Sequence, residues 1–135
     1  MDKRELKYRC YMEALEKSVV SVEIILNRLV QIDDKKGIID DVVLMKDKRK
    51  TILDLELSLA DLCILLRKMS ENLFIQIDKE LRRDMNSIIH SNRFEYYQEV
   101  IVYSQKGREE VDLKALLAFC HQILSTDKVW KKNNL

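Results

Sequence analysis

The stretch TILDLELSLADLCILLRKMSENLF, residues 51–74, decides the fold. Its apolar side chains Ile52, Leu55, Leu59, Leu62, Leu66, Met69 and Leu73 advance by alternating steps of three and four, the period at which one stripe of an α-helix faces a core. Thr51 followed by Asp54 predicts an N-cap with an acid in the first turn, so a long helix is expected to start there. Residues 38–50 open with IIDDVVLM and close with KDKRK, and predict a short helix followed by an exposed basic loop.

The same period extends outward in both directions. Tyr8, Met12, Leu15, Val19, Val22, Leu26 and Leu29 form one stripe of a first amphipathic helix of about seven turns, which IDDKKG with Gly37 should end. On the other side the pattern continues through Ile77, Leu81, Met85 and Ile88. A single rod of about forty residues does not suit a compact domain, so a break is expected near Ser70 to Asn72 or near Asp78, with His90 at the end of a third helix. In FEYYQEVIVYSQKGREEV, aromatic and β-branched residues crowd together and SQKG offers a turn at Gly107. This predicts a small β-hairpin or extended loop, with any strand confined to about residues 94–104. Asp112 should then cap a last helix that faces the core with Leu113, Leu116, Leu117, Cys120, Ile123 and Leu124.

Composition agrees with helix nearly throughout, because proline is absent and glycine occurs only at 37 and 107. The expected class is all-α: a four- to five-helix bundle with a small β-hairpin or extended loop before the last helix, in a single domain spanning residues 1–135. The 24 basic and 23 acidic residues leave a net charge of +1, so the whole molecule has no field to steer nucleic acid and any anion site must be local. Cys10, Cys63 and Cys120 lack metal or CxxC spacing and are expected to be reduced, buried thiols. The charged start MDKRELKYRC and the lack of a long apolar run point to a cytoplasmic protein with no membrane partner.

Two glycines cannot build a phosphate-binding loop or a dinucleotide turn, and neither HExxH nor a serine elbow occurs. The acidic residues alternate with lysines on polar helix faces, so no metal site and no cofactor are expected. His121, at the edge of the last helix's apolar face, is expected to be structural. Trp130 is expected to anchor the C-terminal tail rather than to stack on a base. KDKRK is expected to act as a solubilising cluster rather than as an RNA contact.

The residues LRRDMNSIIHSNRF, 81–94, carry one of the two histidines beside two arginines, an aspartate and an asparagine. This stretch resembles the HEPN domains, small and usually dimeric all-α proteins marked by an arginine, a polar residue, and a histidine separated from the arginine by four to six residues. Arg83, Asp84 and His90 fit that description with six residues intervening. The continuation of the chain, HSNRFEYYQEVIVYSQKGREEVDLKALLAF, is similar to the aromatic or hairpin segment and final helix of many members, so the resemblance covers roughly residues 51–125. In the commonest form of the motif an arginine and an asparagine directly precede three residues and the histidine. Here Met85 takes that arginine's position while Asn86 matches.

The resemblance implies a metal-independent endoribonuclease in a toxin–antitoxin or phage-defence setting, cleaving RNA at the cleft of a homodimer. His90 would be the acid or base and Arg83 the phosphate clamp. Asn86 or Asp84 would orient them, and Arg82 and Arg93 would bind RNA. Arg83 and His90 are seven positions apart, about 10.5 Å along a helix axis, and Arg83 leans toward the N-terminus, so a reach across a dimer is easier than a reach along one chain. A competing expectation is a non-catalytic helical interaction module that binds protein or RNA. A third is a helical partner subunit that neutralises a toxin, as an antitoxin does. Two copies of His90 and Arg83 facing one solvent-filled cleft would separate the first from a merely packed helix, which would hide them.

Overall fold

The computed structural model describes residues 2–134 and is mostly helical. The elements run α1 (Lys3–Asp34), α2 (Asp41–Glu71), α3 (Lys79–Ile89), β1 (Arg93–Tyr96), β2 (Val100–Ser104), β3 (Gly107–Val111) and α4 (Leu113–Asn134). An aspartate starts every helix. Asp2 accepts from the Glu5 N–H at 2.7 Å, Asp40 from Val42 at 2.8 Å, Asp78 from Leu81 at 2.8 Å and Asp112 from Ala115 at 2.9 Å. Each satisfies an amide that has no partner inside its helix, which is worth about 1 kcal/mol per cap.

α1 and α2 form an extensive antiparallel pair, joined by a turn in which Gly37 takes φ +80°. Met12, Leu15, Val19, Val22, Ile25 and Leu29 of α1 meet Leu55, Leu59, Leu62, Cys63, Leu66 and Met69 of α2 in one core, completed by Leu81, Met85 and Ile88 of α3 and by Leu116 and Cys120 of α4. α2 begins eleven residues earlier than expected, capped by Asp40. Thr51 does not cap it but sits buried inside it, where its hydroxyl donates to the Asp47 carbonyl at 2.8 Å, and KDKRK is helical rather than a loop. The break after α2 falls at residues 72–78, spanning both expected places.

The end of α2 is a left-handed cap. Phe74 N–H donates to Met69 O and Leu73 N–H to Ser70 O, both at 3.0 Å, with Leu73 at φ 63°. This is the geometry in which glycine is usual. Leu73, expected on the core stripe, is 82% exposed as a result.

The expected small β-hairpin or extended loop is a three-stranded antiparallel sheet, order β1-β2-β3, and strand structure extends to Val111 rather than stopping near 104. SQKG makes the β2–β3 turn, pairing Ser104 with Gly107 at φ +105°. Phe94, Val102 and Glu109 pair across the sheet, as do Tyr96, Val100 and Val111, so these six share one face. Phe94, Val100, Val102 and Val111 turn that face to the core.

α4 packs on α1 and is fastened at its far end. Buried Asp127 lies 2.8 Å from Arg9 Nη1 and 3.3 Å from Lys131 Nζ, and accepts from the Tyr8 hydroxyl at 3.1 Å. The Arg9 guanidinium stacks on Tyr8 and on half-exposed Trp130. His121 is exposed, with Nε2 2.9 Å from Glu23 Oε1. All three cysteines are free thiols; Cys10 is exposed, against expectation, whereas burial pushes Cys63 and Cys120 up to about 12.

Candidate functional site

α3 is amphipathic in the strict sense. Leu81, Met85 and Ile88 bury one face, and the helix begins on Asp78 and ends at His90, whose N–H closes the last turn on the Asn86 carbonyl. Residues 79, 83, 86 and 90 succeed one another by steps of four, three and four, so Lys79, Arg83, Asn86 and His90 share the opposite, solvent-facing side.

That side forms one wall of a cleft of about 590 Å³. Lys79, Arg82, Arg83, Asn86, Ser87 and His90 line it from α3, and Ser104, Gln105 and Lys106 of the β2–β3 turn line it from across. Lys79, Arg82, Arg83 and Lys106 against the one carboxylate of Glu109 leave a local charge of +3, compared with +1 for the whole chain. A positive concavity of this kind concentrates anions where the molecule as a whole does not. Arg82 and Asn86 also border a second cleft of about 390 Å³, between α3 and the end of α2, with Arg67 and Ser70 on its other side.

Four of the expected site residues, Arg82, Arg83, Asn86 and His90, therefore meet in one open cleft. Two do not. Asp84 lies on the flank of α3 and takes a 3.4 Å contact from the Asp112 N–H; burial pushes its carboxyl above the ordinary range, opposed by that amide and reinforced by Glu109. Arg93 sits on the other face of the sheet from Phe94 and Glu109, paired with Glu95 and stacked on Tyr103 with 4.9 Å to the ring centroid. Neither lines the cleft.

Met85 is 2% exposed. Position 85 is five residues from His90, about 140° around the helix, so the arginine position of the commonest HEPN motif points into the core here. Arg83, seven residues away, returns to within about 20° of His90's direction.

Sequence inspection missed Lys79, Lys106 and Glu109. The two lysines look like ordinary surface residues until the turn folds back over α3. Glu109 stands in a run of charge, GREEV, whose inward members are evident only once the segment is known to be a strand: position 109 then shares a side with buried Val111. Its Oε1 is 3.1 Å from Arg83 Nε, and its other oxygen is in hydrogen-bond contact with the Ser87 hydroxyl, whose single proton has the Arg83 carbonyl, 3.0 Å away, as its alternative acceptor.

Among the described residues no group of three or more His, Cys, Asp or Glu side chains is placed to hold a metal ion, and no helix is long and apolar enough to cross a membrane. Comparison of the chain with protein-family models, with curated proteins and with solved structures gave no match.

Proposed function

We propose that the α3 cleft is a binding site for the RNA backbone in a HEPN-like helical bundle, and that the domain cleaves RNA there without a metal. The observation that carries this is the convergence of His90 with Arg82, Arg83, Lys79 and Lys106 on one solvent-open cleft. Arginine and lysine neutralise phosphate, and backbone contacts of this kind supply most of the affinity for nucleic acid.

The residue types define the chemistry. A neutral imidazole at His90 takes the proton of a ribose 2′-hydroxyl, and the freed oxygen attacks the adjacent phosphorus. The phosphorus–O5′ bond breaks as the new bond forms, and the leaving oxygen takes a proton from water or from a second imidazole. A guanidinium neutralises the charge that builds on the phosphate oxygens. A homodimer would supply the second imidazole and shorten the reach between Arg83 and His90. Such a dimer would pair along α3, the helix that carries both residues. The biological setting that fits is a toxin–antitoxin pair or phage defence, in the cytoplasm.

The second reading, a non-catalytic module that binds RNA or a protein such as an antitoxin, is favoured by two specific observations. Met85 is core, and Arg83 already faces a carboxylate. His90→Ala decides between the two. The cleaving domain should lose RNA cleavage by about 10² to 10⁴, the usual worth of acid–base help, with almost no change in melting temperature because the imidazole is exposed. RNA binding without cleavage by the unaltered protein would leave the binding module. Absence of both, with a His90→Ala variant that melts several degrees lower, would remove the site altogether.

A further inference from the structure

The cleft contains its own anion. Glu109 lies on the core-facing side of the edge strand β3, level with Phe94 and Val102, which brings its carboxylate against α3 at Arg83 and Ser87. Its side chain is 31% exposed and that of Arg83 72% exposed, so the pair stands in the cleft within reach of solvent. The guanidinium that a phosphate would need is thus already facing a carboxylate.

We propose that Glu109 is a built-in competitor for the RNA backbone and determines which anions the cleft accepts. It holds Arg83 in the free protein and yields to a ligand that brings several phosphates at once. A lone phosphate at Arg83 exchanges one ion pair for another and gains little. A strand that also engages Lys79, Arg82 and Lys106 draws on three further cations and displaces the carboxylate with the surplus. The cleft is therefore biased against inorganic phosphate and nucleoside monophosphates and toward oligomers. An ion pair this exposed is weak, so the bias is modest, up to about fivefold for a single substitution. The inference rests on the proposed RNA-binding function.

Fluorescence anisotropy with a labelled 2′-O-methylated oligouridylate, which lacks the free hydroxyl needed for cleavage, measures it across a salt series. Glu109→Gln should bind up to about fivefold tighter. Its plot of log affinity against log salt should steepen by about 0.7, the increment for one more phosphate neutralised on a single strand. Most of both gains should vanish when Arg83→Ala is combined with it, and uridine monophosphate should compete for Glu109→Gln better than for the unaltered protein. Circular dichroism checks that each variant is folded, with Glu109→Ala as the substitute if Glu109→Gln is not. An oligomer affinity that is unchanged or weaker in the Glu109 variants, or a gain that persists without Arg83, overturns the competitor role while RNA binding stands. No oligomer binding by either the unaltered protein or Glu109→Gln overturns RNA binding itself, and the competitor role with it.

Discussion

Placing an arginine at position 85 restores the letters of the commonest HEPN motif and tests which register the helix uses. Met85 is 2% exposed and belongs to the single core with Leu81 and Ile88. Met85→Arg removes a buried thioether worth about 2 kcal/mol and brings a guanidinium to its place. The guanidinium cannot stay in the core, so the longer side chain must bend toward the cleft between α2 and α3, where Glu71 and Ser70 stand. That escape offsets part of the desolvation cost and leaves a net loss of about 3 kcal/mol. For a chain of this length the melting temperature should fall by about 10 °C. Thermal circular dichroism measures the loss, and an RNA-cleavage assay on the same sample measures function. Because position 85 and His90 point about 140° apart, no gain in cleavage is expected. A Met85→Arg protein as stable as the original and more active on RNA would refute both the burial and the assignment of Arg83 as the clamp.

Two further substitutions probe features outside the catalytic proposal. Leu73→Gly at the left-handed cap of α2 should stabilise the protein by about 1 kcal/mol, because the leucine is strained at φ 63° and mostly exposed; a lower melting temperature would show that its side chain packs usefully. Asp84→Asn tests the raised carboxyl. Since burial lifts the folded value above the unfolded one, ionisation destabilises the fold, and stability should decline as pH rises from the ordinary aspartate range through that raised value. The asparagine variant should melt higher at neutral pH and show a flatter acid-range profile; a profile parallel to the original's would refute the assignment.

The helices were legible because their signal is long. The three-four step of α1 and α2 persists over many turns, and Gly37 marks the end of α1, whereas the break after α2 follows from helix length because the apolar step runs on through it. Thr51 misled because a threonine ahead of an apolar run looks like a cap, whereas inside a helix its hydroxyl can return to the carbonyl four residues back, as it does to Asp47. β3 was illegible for a different reason. GREEV has little strand propensity of its own and is extended because β2 pairs with it, while its charges suit an unpaired edge. Arg82, Arg83, Asn86 and His90 could be grouped from helical spacing alone. The same spacing puts Asp84 about 120° from His90 around the helix and so off that face, whereas Arg93 could not be separated, because adjacency in sequence conceals that it lies on the opposite face of the sheet. Lys106 and Glu109 enter the site only through tertiary contact between β3 and α3.

The buried carboxylate of Asp127 also governs how this molecule can come apart. Arg9 and Asp127 are 118 residues apart in sequence, one near the beginning of α1 and the other near the end of α4. Helix ends ordinarily loosen independently, each at small cost. Here, lifting the first turns of α1 strips Asp127 of Arg9 and Tyr8, and unwinding the last turns of α4 draws the carboxylate away from the same two side chains. After lifting of α1 the buried carboxylate keeps only Lys131, one turn away in its own helix, so opening costs more than ordinary fraying. The two ends of the described chain thus share one fraying event, because each depends on the same three side chains, Tyr8, Arg9 and Asp127.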